Sequence, residues 1–310
     1  MRKPATIRAV AKAPLFTDDP AADVAYSNVR AARNDYTRKA RENCEALWEI
    51  YEPFADPEFR IEIRGNFDAR YWEMYLTAFL IHQGYEVTCP KPGPDVGIIF
   101  EGRRIWFEAT CPTRGADGAP DQVPEVKAIR LGEEPVVQDV PNEKIVLRYL
   151  NSISVKYKEQ FALWCKDAIV DPTDAFVIAI NPRSLGFDHA DTDPPRILQA
   201  AFAIGSSYIA IDRDTLKHVG AGYQFRDRIA KASGSLVPTG VFHLDEYSRL
   251  SGLLCSRVDV VNQPEEMGVD FQLVPNPWSN VPLPNAFRLR GTYFRIDRTK
   301  EGYTAIPEST

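Results

Sequence analysis

Two apolar, β-rich runs, Val96–Phe100 and Arg104–Ala109, are separated only by Glu101-Gly102-Arg103. This spacing constrains the chain more than any other feature, because a tight hairpin turn decides which residues face one another. The two-residue loop is either Glu101-Gly102 or Gly102-Arg103, and in both cases the numbers of directly paired residues sum to an odd value. Asp95 then faces Glu108 or Thr110 from the same side of the sheet. Directly opposed side chains have Cβ atoms about 4.5–5.5 Å apart. Two carboxylates that close repel, so folding alone gives no reason to place them there. A divalent cation does, because carboxylate oxygens together with waters and a phosphate suit Mg²⁺.

The preceding segment supplies a third acid. Asp68–His82 is predicted to be a helix, with Asp68 as its N-cap and Gly84 ending it. Tyr71, Met74, Tyr75, Ala78, Phe79 and Ile81 form the apolar stripe, and Glu73 stands at its edge. A short strand, Tyr85–Thr88, follows, and then the Pro/Gly-rich Cys89–Asp95. Glu73 can therefore reach the end of the hairpin from the helix.

Glu73, Pro94-Asp95 and Glu108-Ala109-Thr110 resemble the motif of the PD-(D/E)xK nuclease superfamily, the restriction-endonuclease-like fold. In that family a helix-borne Glu precedes a Pro-Asp at one strand and an (Asp/Glu)-x-Lys on the next. The chain departs at the last position, where Thr110 stands for the lysine. The resemblance implies a metal-dependent nuclease that hydrolyses phosphodiester bonds, in the first instance an endodeoxyribonuclease. Asp95 and Glu108 would hold Mg²⁺ or Mn²⁺, and Glu73 would bind the metal or a water on it. The Ala109 carbonyl is a further candidate ligand, and the Thr110 hydroxyl can orient water. The implied partner is nucleic acid, DNA rather than RNA, with a homodimer allowed and no membrane. The alternative is a degenerate member of the fold that binds nucleic acid or protein without cutting. A second alternative is an unrelated α/β protein in which the three acids are merely surface residues.

Some members of the family with an altered third motif carry the lysine on the neighbouring helix. Here Lys144–Lys166 is predicted to be helical. Tyr149, Ile153, Lys156, Gln160 and Trp164 recur at spacings of three or four and so share one face. Lys156 and Gln160 thus sit inside a largely apolar stripe. A lysine there either snorkels from the edge of the core or serves as the missing cation. Lys158, on a different face, is the fallback.

The remainder bounds the fold. The chain has 310 residues, 44% hydrophobic and 26% charged, enough for one large domain or one and a half. No run approaches the roughly 18 apolar residues of a membrane span, and the basic Met1-Arg-Lys-Pro lacks the apolar core of a secretory signal. The five cysteines are scattered without CxxC spacing, so a reducing cytoplasm is the expected setting. The net charge of −6 counts mildly against nucleic acid, although an acidic enzyme can carry a local basic groove. His82, His189, His218 and His243 are isolated, and no P-loop or G-x-S-x-G occurs.

Residues 1–19 read as loose, and a long helix is predicted from about Ala21 to Tyr51. Phe59–Ile63 reads as a short strand or packing segment. Cys111–Asn142 lacks periodicity and is too long for an ordinary connection. Asp174–Asn181 is a buried strand, Arg196–Ala203 a short helix and Tyr208–Asp212 another strand. Val241–Leu244, Gly252–Arg257 and Phe271–Val274 are short β-like runs, and Phe287–Arg295 is the last predicted strand. The expected fold is α/β (α+β): a restriction-endonuclease-like mixed sheet flanked by helices. Residues 1–55 would form a helical N-terminal extension. Residues 56–310 would form the nuclease-like domain with a β-rich C-terminal extension.

Overall fold

The computed structural model describes residues 13–127, 132, 134, 137–187, 191–298 and 303–310. The first twelve residues of the stretch read as loose, part of the Cys111–Asn142 connection, and His189 lie outside them. Among the described residues the helices are α1 (Val24–Ala31), α2 (Asp35–Tyr51), α3 (Phe59–Glu62), α4 (Phe67–His82), α5 (Asn142–Ser154), α6 (Ala162–Lys166) and α7 (Arg196–Ala201). The strands are β1 (Val87–Thr88), β2 (Val96–Phe100), β3 (Arg103–Thr110), β4 (Ala175–Ile180), β5 (Ile204–Ile211), β6 (His218–Phe225), β7 (Arg228–Ala230) and β8 (Leu236–Pro238). They continue with β9 (Gly252–Cys255), β10 (Gln272–Pro275), β11 (Thr292–Arg298) and β12 (Tyr303–Ser309).

A mixed sheet of eight strands, in the order β1-β2-β3-β4-β9-β10-β11-β12, forms the centre. The hairpin β2–β3 is antiparallel, whereas β4 runs parallel to β3 and β9 parallel to β4. The mixed α/β class is therefore as expected. The strands after residue 241 continue this sheet, and the chain ends on β12, a strand beyond the last one predicted.

Each face of the sheet is covered by its own apolar core. Ile105, Phe107, Val177 and Leu254 pack with α1, α2 and α4. Trp106, Phe176, Ile178 and Leu253 pack with α5, the segment after it, and α7. The strict alternation along β3 and β4 sends neighbouring residues to opposite cores. Helix α4 is buried around its whole circumference from Tyr71 to Leu80. Trp72 Nε1 donates to the Ala179 carbonyl at 2.9 Å, while the Tyr75 hydroxyl accepts from the Gly268 amide at 3.0 Å.

Several expectations are corrected. The long N-terminal helix is two helices: Ala32 adopts φ +47°, and Asn34 opens α2 in a reciprocal capping box with Thr37. A short polar pair of this kind outcompetes helix continuation locally. Phe59–Glu62 is a helical turn, not a strand, and Val241–His243 is a 3₁₀ turn. Asn66, not Asp68, is the N-cap of α4. Its first amide is satisfied from afar, because Phe67 N donates to Asp23 Oδ2 at 3.0 Å. Asp68 instead accepts from the Ser184 hydroxyl at 2.8 Å. The strand predicted at Tyr208–Asp212 belongs to a separate two-stranded ribbon, β5–β6. Gly84, at φ +86°, ends α4 as expected.

Candidate active site

The hairpin turn is Glu101-Gly102, with φ of +48° and +75°. Both central residues at positive φ make the tight turn whose twist matches the strands. The register follows: Val96 pairs with Phe107 and Ile98 with Ile105. Gly97 lies opposite Trp106, and a Cβ there would meet the indole at 2.4 Å, so only glycine lets the ring lie across β2. Trp106 Nε1 in turn donates to Asp174 Oδ2 at 2.8 Å. One step beyond Val96, Asp95 meets Glu108. The Asp95 amide donates to Glu108 Oε2 at 3.2 Å, and the Ala109 amide donates to Asp95 Oδ2 at 2.7 Å.

Lys156 arrives from the far side of this pair. The predicted single helix is interrupted: Val155–Phe161 is a π-helical segment between α5 and α6. Such widened turns are rare and concentrate at functional sites. Lys156 lies in it and donates to Glu108 Oε1 at 2.5 Å, with the lysine side chain one-fifth exposed. Thr110, at the end of β3, lines the same cleft, together with Asn66, Ala69, Arg70, Glu73, Asp95 and Lys156. Its cavity measures about 220 Å³. Neither Gln160 nor Glu108 is among the residues lining it, and the buried Gln160 Oε1 has no hydrogen-bond partner among the described residues. Lys158 points elsewhere, bonding Glu246 at 2.9 Å.

Glu73 reaches the cleft from α4, on the other face of the sheet. It is only 3% exposed, not at a stripe edge. Its oxygens are held by residues not singled out in the sequence. The Tyr51 hydroxyl donates to Oε1 at 2.7 Å and Arg70 to Oε2 at 2.5 Å, while Lys91 Nζ stands 3.6 Å from Oε1. Arg70 had a signal, its three-residue spacing from Glu73 on a helix. Tyr51 had none, because its reach to Glu73 depends on how α2 packs against α4.

The electrostatics separate the acids. Burial pushes the Asp95 pKa well above the usual carboxylate range, and the nearby charges of Glu108 and Glu73 push it further. Lys156 and the Ala109 amide oppose this without cancelling it. Burial also raises Glu108, against the pull of Lys156 and the Asp95 amide. For Lys156, burial disfavours the charge, but Glu108 and Asp95 outweigh it, so its pKa ends above that of an ordinary lysine. Tyr51 is pushed up by burial and by Glu73, which keeps its hydroxyl a donor.

Among the described residues, no group of three His, Cys, Asp or Glu side chains is arranged to hold a metal ion. Glu73 comes from the opposite face and its carboxylate is bound by Tyr51 and Arg70, although it lines the same cleft as Asp95 and its charge bears on both other acids. The Asp95–Glu108 pair nevertheless fits a hard cation. It offers two carboxylates whose joint ionisation burial disfavours, and Asp95 Oδ1 accepts no hydrogen bond among the described residues. No protein-family model matches the chain, and no curated protein or solved structure matches it. Among the described residues no helix is long and apolar enough to cross a membrane.

Proposed function

We propose that this chain is a metal-dependent nuclease with a restriction-endonuclease-like core, acting on DNA phosphodiester bonds. One observation carries the reading. Lys156 donates to Glu108 in the cleft that also holds Asp95, so a cation reaches the site although Thr110 replaces the motif lysine. Asp95 and Glu108 would hold Mg²⁺ or Mn²⁺, and Glu73 would take no direct part in binding it. The metal would supply Lewis-acid stabilisation of phosphate charge and a water of lowered pKa.

The protein's own groups have separable tasks. Lys156 turns from Glu108 to a phosphate oxygen, which offsets the charge that builds there. Such positioned groups are usually the largest catalytic contribution. The Thr110 hydroxyl orients water without adding charge. Arg70 and Lys91 place two further cations beside Glu73, where they attract the polyanion into the cleft of a chain that is acidic as a whole. Asn66, at the start of α4, adds an amide to the rim.

The test uses the purified protein with Mg²⁺ or Mn²⁺ on DNA and RNA. Metal-dependent cleavage of DNA is expected. Lys156→Ala is expected to lower it by about 10²–10³-fold while leaving the metal-induced rise in melting temperature intact. Asp95→Ala is expected to remove that rise. Cleavage indifferent to Lys156→Ala would sink the relocated lysine.

A second reading has its own support. Every carboxylate oxygen of the three acids except Asp95 Oδ1 accepts a hydrogen bond from within the chain. An acid cluster already matched by Arg70, Lys91 and Lys156 suits a degenerate member that binds nucleic acid without cutting it. Binding of DNA with no cleavage under either metal would establish that reading.

A further inference from the structure

Helix α5 carries cations on the side that faces the chain leaving β3. Lys144 Nζ donates to the Pro120 carbonyl at 2.8 Å and to the Gln122 carbonyl at 3.3 Å. One turn on, Arg148 Nε donates to the Thr113 carbonyl at 2.6 Å. These partners are carbonyls, not carboxylates. The loop is tied to the helix, and neither positive charge meets an acid among the described residues. In the cleft the opposite holds, since Arg70, Lys91 and Lys156 each meet a carboxylate.

Arg148 also walls a hollow of about 290 Å³ between α5 and the β7–β8 hairpin, together with Asn151, Ser154, Lys231 and Asp121. The side chains of Asn151, Ser154 and Lys231 have no hydrogen-bond or ion-pair partner among the described residues. Asp121, the acid in that wall, accepts from the Ala232 amide at 2.7 Å. Two cations against one carboxylate leave the hollow positive in a chain whose net charge is −6.

A guanidinium, an ammonium, an amide and a hydroxyl around one hollow, without acceptors of their own, are the donors that bind a backbone phosphate. The position of the hollow relative to the cleft says which one. Thr113, which Arg148 holds, lies just past Thr110 at the end of β3. Lys156 follows Arg148 along the same helical rod after about 12 Å of rise. A duplex strand advances about 3.4 Å per nucleotide, so the two cations are about three nucleotides apart. We propose that Arg148, Asn151, Ser154 and Lys231 hold a backbone phosphate of the DNA strand that the cleft cuts, about three nucleotides from the scissile bond. The inference rests on the nuclease reading for its substrate. The hollow anchors the strand, and the cleft performs the cut.

Fluorescence anisotropy of a labelled DNA duplex tests it, without metal so that nothing is cut, over roughly 50 to 200 mM salt. The wild-type chain is expected to bind, more weakly as salt rises. Arg148→Gln/Lys231→Gln is expected to weaken binding about 10-fold. It should also lower the slope of log affinity against log salt by about 0.9, the value of one phosphate. Lys231→Gln alone breaks no bond within the chain, so it leaves the fold intact and should move both quantities in the same direction. Arg213→Gln/Lys217→Gln removes the same charge from the exposed tip of the β5–β6 arm and should change neither. An unchanged slope in the first double variant, no effect of Lys231→Gln, or an equal loss in the arm variant would overturn the assignment. If the wild type cuts DNA with Mg²⁺ while Arg148→Gln/Lys231→Gln binds it as wild type does, the anchor fails and the nuclease reading stands. If DNA binds with the expected slopes and is never cut, the anchor stands and the cutting falls. A wild type that does not bind DNA at all removes both.

Discussion

Among the described residues, the charges around Asp191 and those in the cleft are settled in opposite ways. Around Asp191 the cations dominate. Asp191 Oδ1 accepts from the Thr192 and Arg196 amides, and Oδ2 meets Arg257 at 2.8 Å and Gln272 at 3.3 Å. Arg196 spends its own donors on Asn142 Oδ1 at 2.9 Å and the Phe187 carbonyl at 3.4 Å. In the cleft the acids come first: Asp95 stands against Glu108 with Glu73 behind, and burial raises the pKa of both members of the pair. The first cluster closes on itself and ties α5, α7 and the end of β9 together. In the second the three cations face Glu73 and Glu108, and Asp95 Oδ1 accepts no hydrogen bond among the described residues. Burial is common to both, so it does not distinguish scaffold from site. The distinguishing property is whether each charge already has its counterpart.

The sharpest way to break this comparison is Arg196→Met. It keeps the apolar stem but leaves Asn142 Oδ1 and the Phe187 carbonyl without their donor. Removing one partner of a buried charged network costs about 3 kcal/mol, read as a lower midpoint in urea unfolding. A loss under about 1 kcal/mol would place Asp191 and Arg196 among ordinary surface pairs. Tyr51→Phe is expected to cost less, roughly 1.5 kcal/mol for one hydrogen bond to a buried carboxylate. Arg70 and Lys91 still face Glu73 in that variant. Its melting temperature should fall modestly while the Mg²⁺-induced rise persists. Loss of that rise would make Glu73 a metal ligand after all.

The contrast also explains which parts were legible in the sequence. The two-residue loop and a period of two narrowed the partner of Asp95 to Glu108 or Thr110, and the turn at Glu101-Gly102 selects Glu108. Lys156 was legible as a cation misplaced on an apolar stripe. Gln160 shares its spacing with Lys156, but which residues line the cleft depends on how this segment docks, and Gln160 does not line it. Tyr51 lay hidden for a related reason: residues 22 apart met only once α2 had docked on α4. The break at Ala32 carries a capping signal in Asn34 and Thr37, but the apolar spacing runs on across it and hides it. The arm β5–β6 alternates like a core strand, and alternation cannot tell a covered face from an uncovered one.

The smallest expected effect makes the finest test, because its sign is unusual. Asp95→Asn keeps the shape of the side chain, so the Ala109 amide retains an oxygen acceptor. It removes a charge that Glu108 and the buried setting oppose. A carboxyl whose folded pKa lies above its unfolded one binds more protons in the folded state, so stability falls as pH rises through that interval. For Asp95 the fall begins near the ordinary aspartate value of about 3.9 and continues upward, because its folded pKa is raised. Glu108 adds a fall of the same sign. The wild-type chain should therefore lose stability from acid towards neutral pH, and Asp95→Asn should flatten part of that slope. At neutral pH the variant is expected to be more stable by about 1 kcal/mol, and Mg²⁺ should no longer raise its melting temperature. Thermal unfolding at a series of pH values, with and without Mg²⁺, measures both. A variant less stable than wild type at neutral pH would mean that Asp95 is a matched structural acid, like Asp191, and would remove the cleft from consideration as a metal site.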